Sequence, residues 1–114
     1  MYNFPVKIDG CKELKRIFPT MQAPVQKIVD IAKTLPEIKR IIIFGSAITL
    51  NCGIGSDIDV AFDMPSVSED DYYSYLKPIR YSIDIPYDFI HYNSIKNKML
   101  LEVIDKNGLE IRIN

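Results

Sequence analysis

The chain is poor in the residues that build thiolate, disulfide or zinc sites. It has two cysteines, Cys11 and Cys52, far apart and with no CxxC spacing, and these read as free thiols. His91 is the one histidine, so no second histidine exists to complete a zinc site, and packing or the surface is its expected place. No apolar run approaches the roughly 20 residues of a membrane span, so no membrane association is expected. The opening MYNFPVKIDGCKEL lacks the apolar middle of a signal peptide, which predicts the cytosol. Neither charge sign dominates: 14 basic against 15 acidic residues give a net charge of −1. A nucleic-acid ligand is therefore not expected, since such proteins carry a basic face. Repeats, low-complexity tracts and a second-domain linker are absent too. The 114 residues are expected to form one domain, 1–114, with residues 1–20 as an N-terminal extension.

What is present centres on the stretch from Arg40 to Asp63, RIIIFGSAITLNCGIGSDIDVAFD. Ile41 to Phe44 are continuously apolar, as in a strand buried on both faces. Gly45 lets the backbone turn and lets a ligand approach. Ser46 stands where a helix should begin, either as its N-cap or as a phosphate contact. From Asp57 to Phe62 the pattern alternates. Side chains at i and i+2 of a strand share a face, so Asp57 and Asp59 are predicted on one face and Ile58, Val60 and Phe62 on the other. The apolar face calls for a cover of helices. Two carboxylates side by side repel unless a cation lies between them. Gly53-Ile54-Gly55 has no helix pattern after it and reads as a loop into the acidic strand.

Gly45-Ser46, ten residues, then Asp57-Ile58-Asp59 resembles the G-S-x10-D-x-D signature of the nucleotidyltransferase superfamily that includes DNA polymerase beta. Four fixed positions recur by chance on the order of once per thousand sequences of this size. The FGS…SDIDV wording in a short chain resembles the minimal nucleotidyltransferase (MNT) proteins, over roughly Pro24 to Ile113. The resemblance implies an α/β (α+β) fold: a small mixed β-sheet with helices covering one face. It also implies that Gly45 and Ser46 hold the triphosphate of a nucleotide. Relatives often carry arginines just after this pair. Here Ala47, Ile48, Thr49, Leu50, Asn51 and Cys52 follow, with no basic residue before Asp57. Lys39, Arg40 or a partner's basic residue are the candidates for that cation.

Around this stretch the pattern is simpler. Asp9 is placed to cap a helix that ends at Pro19, its lysines and arginine forming a solvated face. Val25, Ile28, Val29, Ala32 and Leu35 predict an amphipathic helix beginning at Pro24. Ser66 or Ser68 is placed to cap a helix opening with Glu69, Asp70 and Asp71, which Pro78 kinks or ends. Its tyrosines 72, 73 and 75 are read as core or partner surface in preference to base stacking. Ile85 to Tyr92 predicts a third strand. The superfamily uses a third carboxylate on a neighbouring strand. Asp88, inside this strand, is its best match, and Asp84 is the fallback. Asn93 or Ser94 then caps a helix with Ile95, Met99, Leu100, Val103 and Ile104 inward. Asn107-Gly108 ends it, and Leu109 to Ile113 alternates as a last strand.

Three carboxylates without a histidine–cysteine set suit hard cations, and the resemblance implies two Mg²⁺ held by Asp57, Asp59 and Asp88. The implied reaction transfers a nucleoside monophosphate, AMP from ATP, and releases pyrophosphate. MNT proteins are commonly paired with a HEPN-domain protein, often a ribonuclease toxin that the MNT member adenylylates on tyrosine. The expected function is therefore a protein adenylyltransferase antitoxin with a HEPN partner. The alternatives are a non-catalytic MNT-fold module that masks a toxin, and a transferase acting on a small molecule.

Overall fold

The computed structural model describes residues 17–48 and 56–114. The proposed helix from Asp9, both cysteines and the Gly53-Ile54-Gly55 loop lie outside the described residues. Helix α1 (Pro19–Ala32) leads into strand β1 (Arg40–Phe44) and a 3₁₀ turn (Gly45–Ile48). Strand β2 (Ile58–Asp63), the short helices α2 (Tyr72–Tyr75) and α3 (Lys77–Arg80), and strand β3 (Tyr87–His91) follow. Helix α4 (Lys98–Asn107) and strand β4 (Leu109–Arg112) complete the order. The sheet order is β3-β2-β1-β4. β1 is antiparallel to β2 and to β4, and β2 is parallel to β3. This is the mixed α+β architecture expected.

Alternation decides which side chains face which layer. Ile41, Ile43, Ile58, Val60, Phe62, Leu109 and Ile111 point to one face, where α1 and the α2–α3 pair cover them in the larger core. Ile58, Val60 and Phe62 are fully buried, as the period-2 pattern requires. Burying a side chain of this size contributes roughly 1.5–3 kcal/mol. On the other face, Ile42, Phe44, Ala61 and Ile104 form a smaller cluster beneath α4. Gly108 follows α4 with φ −70, an ordinary value, so no left-handed cap is formed. Glycine is needed there for space: a Cβ would overlap Cγ2 of Ile42 and the carbonyl oxygen of Ile104.

Several helix boundaries differ from expectation. Pro19 opens α1, and Pro24 lies inside α1 instead of starting it. Burial explains the extra turn: Ile17 and Met21 sit in the core, and the buried Gln22 donates Nε2 to the Ile17 carbonyl at 3.1 Å. Tertiary burial there outweighs the missing proline N–H. Pro78 lies in the first turn of α3, where it is tolerated, and the chain breaks into two short helices at Leu76. Glu69 to Asp71 form a turn ahead of α2 rather than its first helical residues, with Ser68 Oγ donating to Asp71 at 2.9 Å. Asn97, not Asn93 or Ser94, caps α4, its Oδ1 accepting from the amides of Met99 and Leu100 at 2.9 and 3.2 Å. Starting there turns Met99 and Val103 outward, 78% and 48% exposed, and of the predicted stripe only Ile104 is fully buried.

Candidate active site

Strands β1, β2 and β3 bring their chemistry to one end of the sheet. β1 ends at Phe44 and passes into Gly45, while β2 and β3 begin beside it. The register pairs Phe44 with Asp59, and Asp59 with Asp88. These three side chains form a row across neighbouring strands, which lie about 4.8 Å apart. The row is on the face opposite the larger core. Asp57 directly precedes β2 and is exposed. Asp88 is exposed as well, because β3 is an edge strand and its outer face is open. Asp84 lies in the connection before β3, beside Lys27 and Ser82, away from this row.

Gly45 turns the chain with φ +71, in the left-handed region that favours glycine. It also lies against Asp59: a Cβ on Gly45 would overlap Oδ2 and stand 3.2 Å from Cγ. Ser46 follows as the half-buried second residue of the 3₁₀ turn. The Phe18 amide donates to the Ala47 carbonyl at 2.7 Å, fastening this turn to the start of α1.

Electrostatics follows from the row. Burial pushes the Asp59 carboxyl up to about 6, and the negative charges of Asp88 and then Asp57 add to the rise. A cation at this edge would relieve that repulsion, and an all-carboxylate donor set suits Mg²⁺. Among the described residues no three Asp, Glu, His or Cys side chains close around a single point. An ion held here would complete its shell with water and phosphate oxygens, which is how Mg²⁺ is usually bound.

The basic residues near β1 do not serve this edge. Arg40 stands at the other end of the strand, paired with Asp63 and Arg112. Its Nε meets Asp63 Oδ2 at 2.7 Å, its Nη1 meets Glu110 Oε1 at 3.3 Å, and its guanidinium lies 4.7 Å over the Tyr92 ring. Burial alone would lower its pKa, but hydrogen bonds with Asp63 and Tyr92 outweigh that and hold it above its ordinary value. Lys39 donates to the Pro36 carbonyl at 3.0 Å at the same far end. Neither supplies a cation beside the Gly45–Ser46 turn.

His91 is a packing residue, as expected. It is buried, stacks on Tyr72 at 5.1 Å, and places Nδ1 2.6 Å from Ser94 Oγ and Nε2 3.1 Å from the Met64 carbonyl. Donation from Nε2 to the Met64 carbonyl and a hydrogen bond between Nδ1 and Ser94 Oγ satisfy both ring nitrogens. Sequence reading missed the group on α3, where Arg80 lies 3.8 Å over the Tyr73 ring. Its only trace in the sequence is the i, i+3 spacing of Lys77 and Arg80.

No helix among the described residues is long and apolar enough to cross a membrane. A search of curated proteins returns no match. The family described as Polymerase beta, Nucleotidyltransferase matches residues 26–112, from within α1 to the last residue of β4. That span includes Gly45, Ser46, Asp57, Asp59 and Asp88, and the chain belongs to the polymerase beta-type nucleotidyltransferase family.

Proposed function

We propose that this chain transfers AMP from ATP to a hydroxyl of a protein acceptor, using Mg²⁺. The observation that carries the reading is the Phe44–Asp59–Asp88 row with Gly45 seated on the Asp59 carboxylate. Asp57 and Asp59 would hold the metal, and Asp88 would complete the site on the acceptor side, as ligand or as base. The turn at Gly45 and Ser46 would receive the triphosphate. Bound Mg²⁺, two ions in the full site, supplies charge neutralisation for the attacking and leaving oxygens. The acceptor oxygen forms a bond to the α-phosphorus and gives its proton to a carboxylate or water. The α-phosphorus bond to the bridging oxygen breaks, and pyrophosphate leaves.

The finer reading is an antitoxin that adenylylates a HEPN-domain partner. It is supported by the FGS…SDIDV resemblance to MNT proteins and by the near-neutral charge, which disfavours an RNA acceptor. The test is transfer from α-labelled ATP to a co-purified partner, comparing wild type with Asp57→Asn/Asp59→Asn. Label on the partner that the double variant abolishes is the expected result. An unlabelled partner, bound equally by both forms, sinks it and favours a non-catalytic masking module. One observation favours that second reading: Ala47 to Ser56 contain no basic residue, and Arg40 is engaged elsewhere.

A further inference from the structure

On the side of the sheet that carries the larger core, α3 builds a cation–tyrosine surface. The Arg80 guanidinium lies 3.8 Å from the Tyr73 ring centre and 5.6 Å from that of Tyr81. Lys77 Nζ lies 5.4 Å over Tyr81. Arg80 Nη1 donates to the Tyr73 carbonyl at 3.1 Å. Tyr87 opens β3 and packs on the larger-core side of the sheet, the face that α2 and α3 cover and the one opposite the Asp59–Asp88 row. Tyr73 and Tyr81 are 46% and 72% exposed. Among the described residues no carboxylate pairs with Lys77 or Arg80, and Arg80 Nε has no acceptor. Two unpaired cations held over tyrosine faces attract anions while offering aromatic contact area.

From this geometry we infer that Lys77, Arg80, Tyr73 and Tyr81 form a docking surface for an acidic segment of the acceptor protein, on the side of the sheet that α2 and α3 cover. The inference rests on the protein-acceptor reading above. A nucleic acid fits less well. Its backbone needs a stripe of cations, whereas this surface holds two. An acidic peptide needs only a local match of charge.

The test measures binding of the full chain to a random copolymer of glutamate and tyrosine, with a lysine–tyrosine copolymer and an oligouridylate as comparisons. Binding of the acidic copolymer alone, weakening as salt rises, is expected. Lys77→Glu/Arg80→Glu should weaken it by roughly tenfold or more. Because Arg80 also braces the chain at Tyr73, Lys77→Glu/Tyr81→Ala, confined to exposed positions, provides the second variant. Unchanged binding by this second variant overturns the inference. So does tighter binding of the oligouridylate through the same residues, which assigns the surface to nucleic acid. The melting shift of wild type with Mg²⁺-ATP, read on the same preparation, tests the nucleotidyltransferase reading separately from this surface.

Discussion

Gly45 and Asp59 come so close that the carboxylate of one occupies the space a side chain on the other would need. The two lie on different strands' ends, and their contact joins the turn that would receive phosphates to the carboxylate that would hold metal. Gly45→Ala should therefore do two things. A non-glycine residue at φ +71 costs roughly 1–2 kcal/mol. The added Cβ must also displace the Asp59 carboxylate. Urea unfolding should show the loss, and AMP transfer should fall further than stability does. Unaltered transfer would mean that the Asp59 position is unimportant to the chemistry.

The raised pKa of Asp59 gives a pH signature. With a folded-state value of about 6 against about 3.9 for an unfolded aspartate, the folded chain binds more protons between these limits. Metal-free stability should then fall as pH rises from about 4 to 6. The loss is on the order of 1 kcal/mol once solvent screening at this half-exposed group is allowed for. Asp59→Asn should flatten that slope and leave the metal-free protein more stable at pH 7. Melting curves across this range check it; the same slope in the variant would refute the assignment to Asp59.

Metal and nucleotide should reverse the penalty. A ligand that binds only the folded state stabilises it by mass action, so Mg²⁺ with ATP should raise the melting temperature. Asp57→Asn should remove most of the gain. No shift at millimolar concentrations would count against nucleotide binding by this chain.

Asp88 and Asp84 can be separated by substitution. Asp88 is in register with Asp59, whereas Asp84 precedes the strand. Asp88→Asn should lower the transfer rate by roughly 10²–10⁴, the usual range for losing a general base. Asp84→Asn should leave it within about twofold. Equal losses would show that the register row is not what selects the third carboxylate.

Stability alone should respond at the Asn97 cap. Its Oδ1 satisfies two amides that α4 otherwise leaves unpaired. Asn97→Ala should cost about 1 kcal/mol in urea unfolding, with no change in the midpoint slope. A neutral result would indicate that water replaces the cap.

The sheet's identity was legible in the sequence because strand signals are local. A buried strand needs a run such as Ile41 to Phe44, and a half-buried one needs an alternation such as Ile58 to Asp63. Both can be read without knowing what they pair with. The candidate carboxylates were legible for the same reason, as polar residues on the minority face of an otherwise apolar pattern. Their juxtaposition was not, since Asp59 and Asp88 meet only through the parallel register of β2 and β3. The turn glycine was readable at Gly45, but its contact with Asp59 depends on two chain segments arriving at one edge. Likewise Arg40 looked free in sequence and is held by Asp63 and Glu110 from two other strands. The start of α1 ran against local propensity because distant core residues bury Ile17 and Met21. Met99 and Val103 fit a helical stripe, yet they face outward on α4 while Ile104 and Leu100 face the sheet. Periodicity is a property of neighbouring residues and can be read along the chain; register, burial and ion pairing join residues far apart in it, and only the tertiary structure decided them.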